Sequence, residues 1–179
     1  MSPDRLVQLA EQFGNSIGWL VVTYRTGLAI GLIAALVLCW PLAKLTGSSV
    51  LVMFGVLASL AAIGAFTLTP GTPGFEQVGC IYNIAQPTRS DLVRPTDISL
   101  NILLFIPLGL FLSWLRKPAV VVIGIALAAL LPFAIEFAQL RFIPNRSCSF
   151  YDVATNLSGL VIGVVLGLLV RAVVSMLRR

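Results

Sequence analysis

The chain has 179 residues, of which 58% are hydrophobic and only 11% charged, and its formal net charge is +5. Soluble globular domains carry about a quarter charged residues, so this composition excludes a water-soluble fold and makes lipid the solvent. The positive charge is too dispersed for a nucleic-acid footprint, because no five-residue window is rich in Lys or Arg and no basic face stands apart from the apolar segments.

The first 18 residues carry Asp4, Arg5 and Glu11 ahead of any long apolar run, which argues against a cleaved signal peptide. Leu6, Leu9, Phe13, Ile17 and Leu20 recur at helical spacing, as in a short helix lying along the membrane surface; a frayed polar terminus is the alternative. A helix needs about 20 apolar residues to cross the hydrocarbon. Five stretches are long enough: Thr26 to Leu45, Val50 to Leu68, Ile98 to Leu115, Ala119 to Leu140 and Val153 to Leu177. They are too long and too helical in pattern for barrel strands, which alternate over about ten residues. The expected fold is an all-α membrane protein, a single bundle of five transmembrane helices preceded by a short N-terminal interfacial helix. No internal repeat marks the inverted halves of a transporter.

An odd number of spans places the termini on opposite sides. Lys44, Arg116, Lys117, Arg171, Arg178 and Arg179 then fall on one side, and Arg5, Arg25, Arg89, Arg94, Arg141 and Arg146 on the other. The positive-inside rule is tied on this count, but Arg116 with Lys117 and Arg178 with Arg179 sit at helix ends, where the rule is strongest. The expectation is a cytoplasmic C-terminus and an N-terminus outside. Arg25 reads as a snorkelling side chain near Trp19 and Tyr24.

Alternating spans bring six polar residues to one membrane edge. Asp97 and Asn101 open the third span, Glu136 and Gln139 close the fourth, and Asp152 and Asn156 open the fifth. A helix turns about 100° per residue, so Asp152, Asn156, Gly159, Gly163 and Gly167 share a face. Small residues let helix backbones approach in lipid, and this seam turns the face inward. Gly27 with Gly31 and Ala35, and Gly55 with Ser59 and Ala62, supply further small stripes. Pro107 and Pro132 interrupt the third and fourth spans, each freeing a backbone carbonyl.

Capping suffices to explain Asp97 and Asp152 taken singly. Glu136 differs, because it lies in the last turns of a helix, where the dipole disfavours a negative charge, and an ionisable group within a span calls for a partner. Arg141, Arg146 or an edge amide can serve, either as an interhelical clamp or as part of a binding or proton-transfer site. Cys39 lies inside the first span, whereas Cys80 and Cys148 fall in the two loops on the polar side. A disulfide between those two is permitted if that side is extracytoplasmic; two unrelated thiols are the alternative.

The runs Asp97-Ile-Ser-Leu-Asn101-Ile-Leu-Leu-Phe105-Ile-Pro107-Leu-Gly109, Glu136-Phe-Ala-Gln139-Leu-Arg141 and Ser149-Phe-Tyr-Asp152-Val-Ala-Thr-Asn156-Leu-Ser-Gly159-Leu-Val-Ile-Gly163 together resemble the VanZ-like family of bacterial membrane proteins. The likeness covers about residues 50 to 175. It divides the chain into a surface segment (1–18), an additional N-terminal span (19–45) and a VanZ-like four-helix core (46–179). The resemblance implies an integral protein of the bacterial cell membrane and envelope, in a family named for a component of glycopeptide-resistance clusters associated with teicoplanin tolerance. It picks out Asp97, Asn101, Pro107, Gly109, Glu136, Gln139, Arg141, Asp152, Asn156 and Gly159.

Two functions follow from the edge. One is a non-catalytic module in which Asn101, Gln139, Arg141, Arg146 and Asn156, beside the aromatic Phe142, Phe150 and Tyr151, bind a lipid headgroup, a cell-wall precursor or a neighbouring protein. The other is an enzyme acting on a lipid-linked or headgroup substrate at the outer leaflet, with Glu136 as acid or base and Asp97 or Asp152 opposite. The chain has no His, which excludes Ser-His-Asp chemistry and His-ligated metals. No metal or other cofactor is expected, membrane lipids are the expected surroundings, and the oligomeric state is open. Transport is the weakest candidate, because the charged residues crowd one edge and leave the middle of the spans plain.

Overall fold

The structure, a computed structural model, describes residues 3–70, 79–81, 97–144, 146 and 148–177, with side chains from residue 24 onward except that of Asp97. Its elements are α1 (Pro3–Thr46), α2 (Val50–Thr67), β1 (Cys80–Ile81), α3 (Asp97–Ser113), α4 (Pro118–Phe142), β2 (Cys148–Ser149) and α5 (Phe150–Leu177). Among the described residues the fold is all-helical apart from one pair of two-residue strands. Among the described residues, four helices can cross a membrane by length and composition: α1 over Tyr24–Thr46, α2, α4 and α5. The apolar part of α3, Ile98–Ser113, is shorter. At about 1.5 Å per residue α3 covers about 25 Å, less than the ~30 Å hydrocarbon core.

The surface helix and first span expected from the sequence form one uninterrupted helix. Pro3 stands in the first turn, where its missing N–H costs nothing, and Pro41 is the next proline. Nothing between them breaks the 3.6-residue period. Gly47, with φ +69°, ends α1; the Gly47 and Ser48 amides return to the carbonyls of Lys44 and Ala43, the left-handed cap that glycine favours. Ser49 then caps α2, its hydroxyl accepting the Val52 N–H. Pro118 opens α4 at a first-turn position.

Helix packing follows the small residues. The most extensive interface joins α3 to α5; α1 packs on α2, α2 on α3, and α4 leans on α5 and α3. A Cβ added at Gly159 meets the backbone of Ile102, at Gly163 that of Ile106, and at Gly167 that of Leu110. Both helices advance four residues together, so they run in the same direction. From the other side, Gly109 faces the α5 backbone from Leu160 to Val164. Gly31 lies against Ala61, and Gly55 against the Phe111 ring. Phe105, Leu108, Ile63 and Leu160 are buried in the resulting core, while Ile33, Val37, Val122, Leu127, Phe137 and Leu169 face outward. An apolar shell of this extent suits lipid rather than water.

The interface predicts a sharp contrast between glycines. Gly163→Leu pushes the α3 and α5 backbones apart and should cost at the upper end of the roughly 1–3 kcal/mol typical of overpacking, seen as a lower unfolding temperature in detergent. Gly64→Ala, where an added Cβ meets nothing within 4 Å, should leave that temperature unchanged or higher.

Candidate functional site

The end of α2, the ends of α3 and α5 where those helices begin, and the end of α4 lie together at one edge of the bundle, closed by the parallel pair of β1 and β2. Cys80 pairs with Cys148 and Ile81 with Ser149. A disulfide joins Cys80 to Cys148, while Cys39 is a buried free thiol. A two-residue strand pair is too short to hold by itself. The cystine therefore fixes the chain after α2 to the chain before α5.

Glu136 is 5% exposed, and its carboxylate accepts the Ser149 backbone N–H at 2.6 Å. The hydrogen-bond partner is thus the backbone amide that immediately precedes α5. The site compensates the unfavourable end of one dipole with the favourable end of another: Glu136 lies near the α4 C-terminus but against the α5 N-terminus, where the partial charge is positive. Arg146 and Asp152 are both near enough to act on its charge. Gln139, buried beside it in sequence, donates from Nε2 to the Thr67 carbonyl at 2.9 Å. Arg146 donates from Nη2 to the Phe66 carbonyl at 3.1 Å and from Nε to the Thr69 carbonyl at 3.3 Å. The Phe66 carbonyl is among those the end of α2 leaves open, and the Thr69 carbonyl lies just beyond it, so the cation satisfies the helix end and the chain leaving it. Gln139 and Arg146 therefore fasten α4 and the segment after it to α2.

Asn156 is 2% exposed, and its Oδ1 has no hydrogen-bond donor among the described residues. Carrying the α3/α5 register one turn back from Gly159 and Ile102 sets Asn156 level with Ser99, which is also buried. Asn101 is half-buried on α3, next to the Ile102 that Gly159 touches, and Arg141 is exposed. Asp152 stands in the first turn of α5. Asp97 begins α3, but its side chain lies outside the described residues. Gly109, Gly159 and Gly163 belong to the α3/α5 seam; Pro107 is exposed on α3 and Pro132 is buried on α4. Among the described residues no cluster of three His, Cys, Asp or Glu side chains can hold a metal.

A family model described as VanZ/LLP1 matches residues 51–171. The chain belongs to the VanZ/LLP1 family. The VanZ/LLP1 match starts in the first turn of α2 and ends in α5, so it contains the whole polar edge with both cysteines of the disulfide and leaves α1 outside. No curated protein and no solved structure matches the chain.

The residues missing from the sequence expectation are partners contributed by the main chain: the Ser149 amide and the carbonyls of Phe66, Thr67 and Thr69. Of these residues only Ser149 stood in a quoted motif, and no side chain marks a main-chain partner. The Glu136 contact predicts a graded response. Glu136→Leu strands the Ser149 amide and should destabilise the protein by about 1–3 kcal/mol, whereas Glu136→Gln keeps an acceptor oxygen and should cost less; thermal unfolding of the two variants in one detergent ranks them.

Proposed function

We propose that this VanZ/LLP1 protein is a non-catalytic module of the bacterial cell membrane whose outward polar edge binds the polar head of a lipid or lipid-linked cell-wall precursor, and so lowers the access of teicoplanin-type glycopeptides. The observation that carries the binding role is Asn156. A buried acceptor without a donor costs about 1–3 kcal/mol, and here it lies beneath an edge whose other buried groups, Glu136 and Gln139, already have protein partners. A hydroxyl, amide or ammonium group of a ligand recovers that cost on binding. Asn101 and Arg141 flank the same edge and supply further contacts, the guanidinium suiting an anionic head.

The family name supports the link to glycopeptide tolerance. The cystine supports the sidedness, because disulfides persist in oxidising compartments: with the Cys80–Cys148 end outside, the N-terminus is outside and the C-terminus cytoplasmic, and α1 is an addition to the family core. A membrane-impermeant maleimide applied to intact cells after mild reduction should then label Cys80 and Cys148, with little labelling before reduction. Labelling only after the cells are opened would reverse the orientation.

The enzymatic alternative draws on the Asp152 charge close to Glu136, a carboxylate pair able in principle to share acid and base roles. Teicoplanin susceptibility separates the two at matched expression. On the binding proposal, Asn156→Leu lowers tolerance to that of cells lacking the protein, and Glu136→Gln largely preserves it. Loss of tolerance with Glu136→Gln alone would transfer the function to acid-base catalysis.

A further inference from the structure

The end of the bundle opposite the polar edge carries only positive charge. The seven carboxylates of the sequence are Asp4, Glu11, Glu76, Asp91, Asp97, Glu136 and Asp152. None lies in the turn that joins α1 to α2, in the turn that joins α3 to α4, or in the last 27 residues of the chain, which include the C-terminal part of α5. Those two turns, the last turn of α1 and the C-terminal part of α5 meet at the opposite end, and they hold Lys44, Arg116, Lys117 and Arg171, all exposed.

The segments are fastened to one another rather than merely adjacent. The Arg116 amide donates to the Ser48 hydroxyl at 3.4 Å, joining the two turns. The Lys117 side chain passes Gly47, where an added Cβ would lie 3.0 Å from its Cε. Arg171 donates from Nη1 to the Ser113 carbonyl at 3.2 Å, and the Trp114 indole donates to the Gly167 carbonyl at 2.9 Å, so α5 is tied to the end of α3. The Lys44 ammonium stands 3.7 Å over the Trp40 ring, which places a second tryptophan in the same belt.

Helix capping accounts for Lys44 and Arg171, since cations near helix C-termini are favoured. It does not account for Lys117, which is the N-cap of α4 and so at the end that disfavours a cation; Arg116 beside it lies between that end and the C-terminus of α3. With no carboxylate in these segments to balance them, the compensating anion comes from outside the protein. At a membrane edge marked by tryptophans, the anions at hand are lipid phosphates, and clustered Lys and Arg beside spanning helices are what an anionic leaflet attracts.

We infer that the two turns, the last turn of α1 and the C-terminal part of α5 form a docking surface for anionic phospholipid headgroups, with Lys44, Arg116 and Lys117 as its main contacts. The surface lies at the end away from the proposed ligand site and does not depend on that site's function.

The test uses the full chain in nanodiscs of mixed phosphatidylglycerol and phosphatidylcholine, released into detergent and weighed by native mass spectrometry. The wild type should retain phosphatidylglycerol several-fold over phosphatidylcholine. The variant Lys44→Gln, Arg116→Gln and Lys117→Gln should lose that preference, and the charge-conserving variant Lys44→Arg, Arg116→Lys and Lys117→Arg should keep it. Equal retention of the two lipids by the wild type would overturn the proposal, as would an undiminished preference in the glutamine variant. Displacement of the lipid by free inorganic phosphate at equal concentration would also overturn it, by making the surface a general anion site.

Discussion

The contact of α3 with α5 along their backbones is the constraint on which the remaining structure depends. In lipid no water is expelled when two helices meet, so association rests on close packing. Gly159, Gly163 and Gly167 remove the side chains that would hold these helices apart, and Gly109 does so from the opposing helix. The depth of that contact fixes the position of everything above it: Asn156 and Asp152 continue the same face of α5, so their height at the polar edge is set by the glycines below. The heavier residues Phe105, Leu108 and Leu160 then fill the space around the seam.

The polar edge is an arrangement in which side chains complete the hydrogen bonding of helix ends. Glu136 receives the backbone amide that immediately precedes α5, Gln139 and Arg146 donate to carbonyls at the end of α2, and the cystine pins the two connecting segments beside them. Each of these contacts joins a different pair of segments, so loosening one leaves the others in place. Among the described residues, Asn156 is a buried acceptor without a donor within this paired frame. On the proposed binding role, such a frame would leave little ordering to be done when a ligand arrives.

Much of this was legible in the sequence because lipid imposes simple rules. Long apolar runs mark helices, residues four apart share a face, and alternation of direction decides which ends meet; together these place Asp97, Glu136 and Asp152 at one edge and Gly159 and Gly163 in a seam. The pairing of Cys80 with Cys148 stood as one of two open alternatives, since loop sequence does not specify distance. The partner of Glu136 was not legible, because every residue has a backbone amide and no letter marks the one at Ser149. Likewise, helical periodicity cannot distinguish a surface helix followed by a span from the single rod of α1, since both repeat every 3.6 residues. The fastening roles of Arg146 and Gln139 were hidden for the same reason: their acceptors are carbonyls of Phe66, Thr67 and Thr69.

The parallel course of α3 and α5 has a consequence for assembly. Two neighbouring helices that run the same way cannot be joined by a short hairpin, so α4 serves as the return stroke and is left at the periphery, against α5 and α3. During synthesis the first four helices can enter the bilayer while α3 still lacks its principal neighbour. Only when α5 emerges does the tightest joint of the bundle close, with Ser149 at Glu136 and Cys148 at Cys80 beside it. α5, made after the helices it joins, is therefore the keystone of the bundle.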